Sequence, residues 1–418
     1  MLLPHFHARG NARARRIEFV VEHVMFHGWN EVRGLPRQLW ALAASVLVNR
    51  LGSMVVPLLV LYVTNGLHLS ATTGAALLSA FGVGALLASP LAGRLSDSVG
   101  PVVMMRWSLV TSGLVLCAFP LFQTEASLFG GTLLLAVLTE GYRPASFSVV
   151  SQMVTPEQRK PAYALVRLAA NLGMSVGPAL GSVLATYSYT WIFWVDGAST
   201  LVAAALLWLF FNPRLRSFEE QTASQGTSWK PATRAQFAVF LAAGVAVTMV
   251  FFQLDAALPL YLVGDLHMPP SMYGVVFTLN TVMIVVLEVP LNAHTAHWSH
   301  RTTMALGAVL VALGFGGLVL VTETSGFLFT VALWTFGEML LFPGMSAYVA
   351  EISPPQRRGA WMGWFTMSFN AGFAVGPLLG TMLMEAAGAA VLWSVALALG
   401  LLSAVVYTRV YEPRRLAA

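Results

Sequence analysis

Lysine is almost missing from this 418-residue chain. Lys160 and Lys230 are the only two, so 21 of the 23 basic residues are arginine. Neither lysine sits in a G-x-x-x-x-G-K-[ST] loop, which excludes a P-loop nucleotide site. Cysteine is scarcer still. Cys117 stands alone in an apolar run, which excludes an intrachain disulfide and a thiolate metal cluster and leaves a small packing residue. Charge of either sign is sparse, at 10% of residues, against about 25% in soluble domains. No H-E-x-x-H and no carboxylate-rich metal motif occurs, so neither a metal, a cofactor nor an enzymatic activity is expected. What fills the chain is apolar. Hydrophobic residues make up 57% and mean hydropathy is +0.72, enough for about twelve spans of ~20 residues. A soluble enzyme, a secreted disulfide scaffold and a disordered tail are all excluded.

Twelve apolar runs are found, with cores near 39–63, 72–93, 102–122, 127–152, 162–186, 191–211, 237–263, 272–295, 303–322, 327–350, 360–385 and 390–410. The basic residues fall on alternate connections. Arg94 and Arg106 flank the 2–3 connection, and Arg159 and Lys160 the 4–5 connection, with Arg167 just inside span 5. The 6–7 connection holds Arg214, Arg216, Lys230 and Arg234, later connections and the C-terminus hold Arg301, Arg357, Arg358, Arg409, Arg414 and Arg415, and the N-terminal segment holds Arg9, Arg13, Arg15, Arg16, Arg33 and Arg37. The six opposite connections hold no Lys or Arg, but do hold Glu125, Asp265 and Glu323. By the positive-inside rule both termini are expected in the cytoplasm of a bacterial cell, with the chain multi-pass in the inner membrane. The net charge of +5 thus belongs to the lipid-facing surface of one leaflet, and no nucleic-acid partner is expected.

The expected organisation is a cytoplasmic N-terminal segment over 1–38, a six-helix bundle over 39–211, a polar linker over 212–236, a second bundle over 237–410 and a tail over 411–418. No apolar signal-peptide core follows the N-terminal arginines, because Glu22, His23 and His27 interrupt it. Ile17–Phe26 reads equally well as an amphipathic surface helix or a loose tail. The two bundles repeat each other at an offset of 199 residues. Pro156 meets Pro355, Asn171 meets Asn370, and Gly173, Gly177-Pro178 and Gly181 meet Gly372, Gly376-Pro377 and Gly380. A 6+6 repeat is typical of transporters that rock two halves about a central site.

Three segments carry a family resemblance over essentially the whole chain. Gly93-Arg94-Leu95-Ser96-Asp97-Ser98-Val99-Gly100 resembles the loop motif between spans 2 and 3 of the major facilitator superfamily. Gly173-x3-Gly177-Pro178-x2-Gly181 resembles its span-5 antiporter motif. Tyr142-Arg143-Pro144-Ala145 and Gly337-Glu338-Met339 resemble signatures of multidrug-type members. Ser98, Pro101 and Val102 stand where the loop motif has basic residues, with Arg94 and Arg106 as substitutes nearby. The resemblance implies an all-α membrane protein of twelve transmembrane helices in two six-helix pseudo-repeats, with spans 1, 4, 7 and 10 around a central cavity. Independently of the family, Gly173, Gly177 and Gly181 lie four apart on one helix face that a neighbour can approach closely. Asp97 sits where a helix N-terminus or an arginine can hold it.

Ionisable residues in mid-span are costly, by about 2.5–3.5 kcal/mol on insertion scales, and are candidates for function. They are Arg50 in span 1, Glu140 and Arg143 in span 4, Asp255 in span 7, Glu288 in span 8 and Glu338 in span 10. Glu140 and Arg143 are three apart and are placed to neutralise each other. Asp196 reads as a helix-end residue. Arg50, Asp255 and Glu338 have no local counter-charge, so Asp255 and Glu338 are expected to alternate between protonation and Arg50 or a cationic substrate, with Glu140 and Glu288 as reserve coupling sites. Asn49, Gln253 and Asn280 are candidate polar contacts, and Tyr62, Tyr261, Trp334 and Phe252 candidate aromatic walls. His294, His297 and His300 form H-x2-H-x2-H, more consistent with a solvated helix end than with a metal site.

The expected function is export of amphiphilic organic compounds in exchange for protons, by a monomer in the lipid bilayer. A dedicated exporter of one metabolite (a siderophore or lipid), a proton symporter for uptake and a non-transporting receptor or scaffold are the alternatives.

Overall fold

The computed structural model describes residues 33–211, 232–269 and 271–412. The possible amphipathic stretch Ile17–Phe26 and most of the 212–236 linker lie outside them. Twelve helical passes are found among the described residues. They are α1 (Arg37–Gly66), α2 (Ala71–Val99), α3 (Pro101–Leu121), α4 (Glu125–Glu140, then Tyr142–Met153), α5 (Pro156–Tyr187) and α6 (Tyr189–Phe210). The second half has α7 (Arg234–Asp255, continued by Ala257–Gly264), α8 (Met272–His294), α9 (His300–Leu320), α10 (Thr324–Ile352), α11 (Pro355–Ala387) and α12 (Ala389–Thr408). Eleven are long and apolar enough to cross a bilayer. The twelfth, α4, is cut into shorter pieces at Gly141. Helices suit this medium because every backbone group is satisfied within its own segment.

Local chemistry sets the helix ends. Thr124 with Ser127 and Thr233 with Gln236 form capping boxes, and Ser70 and Ser299 accept the first free N–H groups of α2 and α9. Gly100 turns the chain from α2 to α3 at φ +91°, where a side chain would be strained, and Pro101 starts α3.

Within each half, glycines let helices touch. A Cβ on Gly177 would come within 2.9 Å of the Arg50 carbonyl in α1, and one on Gly376 within 2.8 Å of the Met249 Cα in α7. The Gly173–Gly181 face therefore seats α1 within its own half and does not slide against the other half. Between the halves, α2 meets α11. A Cβ on Gly93 would clash with the Gly359 carbonyl, and Gly359 and Gly363 are confined in return by α2 backbone. Gly93→Leu is therefore expected to part these helices. A cysteine at Ser96, buried on the same seam, should then react with a bulky maleimide at least tenfold faster, in a Cys117→Ala background. An unchanged rate would show that the seam is not closed by this contact.

The described hydrogen bonds and ion pairs between halves all lie between mid-membrane and the arginine-rich end. Asp97 accepts from the Gly359 and Ala360 N–H groups at the start of α11 (2.5 and 2.8 Å). Lys160, at the start of α5, donates to the Thr295 and Trp298 carbonyls and to the Thr303 hydroxyl (3.1, 2.7 and 2.8 Å). Asn370 of α11 bonds to α2 and α4, and Arg167 of α5 to α8 and α10. Towards the opposite end no such bond joins the halves among the described residues. The halves thus form a V, clamped at its arginine-rich end.

Candidate functional site

Four prolines locate the site. Proline has no N–H and clashes with the carbonyl four residues earlier, so it breaks a helix there. Pro57 breaks α1 at Ser53–Met54, Pro144 breaks α4 at Gly141, and Pro259 breaks α7 at Ala256. Pro290 follows a π-helical turn, Ile284–Glu288, in α8. Each break lies within a turn of a mid-membrane charge: Arg50, Glu140 with Arg143, Asp255 and Glu288. Discontinuous helices of this kind mark ion and substrate sites in membrane transporters. The carbonyl that Pro343 frees in α10, that of Met339, is taken by the Asn292 side chain at 2.8 Å, and α10 stays continuous.

The largest departure from the sequence reading is Arg167. From sequence it reads as just inside span 5, yet it lies eleven residues past Pro156, roughly 16 Å along α5 at 1.5 Å per residue. Its guanidinium reaches Glu288 Oε1 at 2.5 Å and Glu338 Oε2 at 2.8 Å, and donates to the Glu338 carbonyl at 3.2 Å. Glu288 and Glu338 are buried, and Asn280 donates to the other oxygen of Glu338 and to Thr335. Glu288 Oε2 has no hydrogen-bond partner. One arginine of the first half is thus held by two acids of the second. Glu338 therefore pairs with Arg167, where Arg50 had been expected.

Glu140 and Arg143 do not bond to each other, because the helix is interrupted between them. Glu140 accepts from Ser89 (2.6 Å) and Asn370 (3.3 Å), while Arg143 donates to Asn370 (3.5 Å) and lies 4.6 Å over the ring of Phe369. Asn370 sits at the seam between α11 and the first half.

Asp196 accepts from the Met54 and Val55 N–H groups (3.2 and 3.1 Å) and so caps the second segment of α1. It ends a helix as expected, but as a buried cap on another helix. Arg50 is half-buried and makes no side-chain hydrogen bond or ion pair among the described residues. It is electrostatically coupled to Asp196, Tyr142 and Arg143.

Five rings form a continuous aromatic layer beneath the opening of the V. Centroids lie 5.0 Å apart for Phe251–Phe342, 5.3 Å for Phe342–Phe369, 5.3 Å for Phe369–Phe252 and 4.9 Å for Phe252–Phe373. Arg143 and Arg167 (5.1 Å from Phe342) rest on this layer, within cation–π range. Phe252 begins a 3-10 turn that ends at Asp255. Residues three apart eclipse in such a turn, so the exposed Asp255 stands above Phe252 on the open side. It is not the buried, unpaired acid that its mid-span position suggested.

Other candidates serve packing. Tyr62 is buried edge-on against Phe193 (4.6 Å). Tyr261 bonds the Leu318 carbonyl (2.9 Å) between α7 and α9, and Trp334 stacks on Phe315 (4.5 Å) inside the second half. Asn49 bonds Thr200 (3.0 Å), and Gln253 ties the α7 break to the Gly376 carbonyl (2.6 Å). Arg106 is buried one turn into α3, where it donates to the Leu207 and Phe211 carbonyls and does not serve the α2–α3 loop. Asp97 is held by the N-terminus of α11, with Arg358 and Arg357 in electrostatic range. His300 is not solvated: it is buried and bonds Glu351 at 2.7 Å, while His294 and His297 face one another 6.2 Å apart. Gly173–Gly177 also spells G-x-S-x-G, but within a continuous helix and not a strand-to-helix elbow, and Ser175 donates to the Leu172 carbonyl.

The major facilitator superfamily sequence model matches residues 42–269 and 240–417, overlapping across the whole two-bundle region. The chain belongs to the major facilitator superfamily. An uncharacterized transporter of this type, YttB of Bacillus subtilis, is 25% identical over 91% of this chain and 96% of its own length. Multidrug resistance protein 2 of the same organism is 26% identical over 76% of this chain and 82% of its own. In fold, the chain is similar to a bacterial homologue of the iron transporter ferroportin in an outward-facing state, with a TM-score of 0.72 and 16% identity over 90% of this chain and 99% of the other. The V is therefore the two-bundle architecture of this family, and the twelve-helix, two-repeat expectation holds.

Proposed function

We propose that this superfamily member is a proton-coupled secondary transporter that exports amphiphilic organic compounds across the bacterial inner membrane by alternating access, without enzymatic activity. The observation that carries the reading is the Arg167–Glu288–Glu338 triad. It joins the halves at the clamped end and contains more negative than positive charge. Opening that end requires Arg167 to leave, which strands two buried carboxylates. A carboxylate stripped of its cation in a low-dielectric site takes up a proton. Protonation and opening therefore favour each other. A proton arriving through the open end of the V releases Arg167, the arginine-rich end opens, and loss of the proton there lets the clamp re-form. Substrate binds in the inward-open state as the proton leaves, and is released on the other side after the clamp re-forms.

The aromatic layer supports amphiphilic cargo, since ring faces bind apolar groups of many shapes. Multidrug resistance protein 2, 26% identical over 76% of this chain, is a relative whose name fits organic compounds as cargo. Asp255, on the open side, is assigned to the cavity mouth and Glu288 with Glu338 to coupling.

The orientation rests on the arginine distribution. Cysteines at Thr124, Tyr187 and Thr324 should be labelled from outside intact cells by an impermeant reagent, and those at Gln158, Ser224 and Gln356 should not. The reverse pattern would place the clamp on the outer face and invert the transport direction. For an antiporter, substrate affinity should also rise with pH, because substrate and protons displace each other. A fall with rising pH would favour proton symport.

A further inference from the structure

We propose that the cavity receives an anionic group of its substrate between Arg50 and Arg143, so that the preferred cargo is an acidic amphiphile: a carboxylate, sulfonate or phosphate carrying an apolar body. The inference rests on the transporter reading for its use but on separate residues for its chemistry. Among the described residues, Arg143 has only a 3.5 Å bond to Asn370 and the ring of Phe369. Arg167 has two carboxylates. Arg106 has the carbonyls of Leu207 and Phe211. Arg50 has no bonded partner among the described residues, although it is only half-buried and lies beside the α1 break.

Its surroundings are arranged for an incoming acceptor. Arg50 Cβ is pressed against Gly173, which fixes the base of the side chain on α5. Its electrostatic neighbours lie on α4 and α6. Asp196, the acid in range, already accepts two backbone N–H groups. Glu140, the acid near Arg143, already accepts from Ser89 and Asn370. Arg50 and Arg143 are thus in electrostatic range of each other, and the carboxylates near them already accept hydrogen bonds. Tyr142, next to Arg143 in sequence and in electrostatic range of Arg50, is more than nine-tenths buried, with its hydroxyl turned to Ser45. Ser45, beside it, gives its own proton to the Ala203 carbonyl (3.0 Å). Two cations on neighbouring helices suit an oxyanion, since guanidinium forks match carboxylate and phosphate oxygens.

The apolar body has a place to lie. Arg143 rests on Phe369, which belongs to the five-ring layer, so an anion held at Arg143 sets its attached apolar group on those rings. Asp255 sits on the opposite half, above Phe252. The cavity is thus cationic on its first half and anionic on its second, and an acid is oriented with its head toward α1 and α4.

The test uses one fluorophore with three tails: dansyl-aminohexanoate, its neutral primary amide, and the cation dansyl-cadaverine. Binding to the purified full chain in detergent is read from dansyl emission. The acid should bind at least tenfold more tightly than the amide or the amine. Arg50→Gln should lower acid affinity to that of the amide while leaving the amide unchanged, and Arg50→Lys should keep part of the preference. Arg143→Lys, which retains charge but not the fork, provides a second variant should Arg50→Gln not fold. Competition by short-chain phosphatidylglycerol at concentrations similar to those of the free acid would identify a lipid headgroup as the anion, and its absence a free acid; both support the site. Equal affinities for the three tails, no binding of the acid, or tightest binding of the amine would overturn it. The readout involves no pH gradient, so a failure of proton coupling leaves it intact, and coupled flux with no acid preference would remove this inference alone.

Discussion

Arg167→Gln is expected to open the arginine-rich end and abolish pH-gradient-driven transport. The substitution leaves a shorter, neutral polar side chain and removes the one cation shared by Glu288 and Glu338. Removing one partner of a buried ion pair costs about 3–5 kcal/mol, because the remaining charge is uncompensated. Here that cost falls only on the state in which the halves are clamped. At ~1.4 kcal/mol per tenfold, the equilibrium moves toward opening by two to three decades. The two acids relieve part of the cost by protonating, which lowers the shift and also uncouples it from pH. Maleimide labelling of a cysteine at Ser96 should therefore accelerate at least tenfold. Proteoliposomes with an imposed pH gradient should show no concentrative flux. Wild-type labelling together with wild-type flux would show that the triad is neither clamp nor coupler.

The second large effect is that of Glu288→Gln with Glu338→Gln. The double variant cannot take up protons at the triad, yet it leaves the five-ring layer, Arg50 and Arg143 unchanged. Substrate binding should stay within about tenfold of wild type, ~1.4 kcal/mol, while pH-driven flux is lost. Asp255→Asn serves as the contrasting variant. Because Asp255 is exposed on the open side and outside the clamp, it should retain concentrative flux. If Asp255→Asn loses flux and the double variant keeps it, coupling belongs to α7 and the sequence expectation for Asp255 is restored.

Much of the fold was legible because its signals are additive along the chain. Twelve apolar runs, alternating arginines and the 199-residue repeat each draw on many residues, so no single position decides them. Asp97 was also read usefully: a carboxylate at a helix end has few favourable partners, and a helix N-terminus is one. The site was harder because it depends on which helices meet. Arg167 reads from sequence as lying just inside span 5, and its depth follows from helical rise, which no charge pattern reports. Its six-residue spacing from Gly173 places it firmly inside α5. Glu140 and Arg143 looked like an i, i+3 pair, but Pro144 breaks the helix at the carbonyl of Glu140 and redirects both toward Asn370. The same proline rule at Pro57, Pro259 and Pro290 would have marked the broken helices, and with them the level of the site. Tyr62, Tyr261 and Trp334 could not be placed from sequence. An aromatic on a lining helix faces either the cavity or its own bundle, and one residue of rotation separates the two.

The central claim is that proton uptake by Glu288 and Glu338 unlocks the arginine-rich end. The most direct measurement follows maleimide labelling of the Ser96 cysteine in purified protein from mildly alkaline to mildly acidic pH, with no substrate present and with each rate divided by that of a free cysteine peptide at the same pH, because maleimide attacks the thiolate. The clamped state holds the acids ionised against Arg167, whereas the open state binds protons more tightly, so acid must favour opening. The account predicts labelling that accelerates at least tenfold as pH falls in wild type and is flat with pH in the Glu288→Gln, Glu338→Gln double variant. A wild-type rate independent of pH, or an acid-induced rise that persists in the double variant, would contradict it.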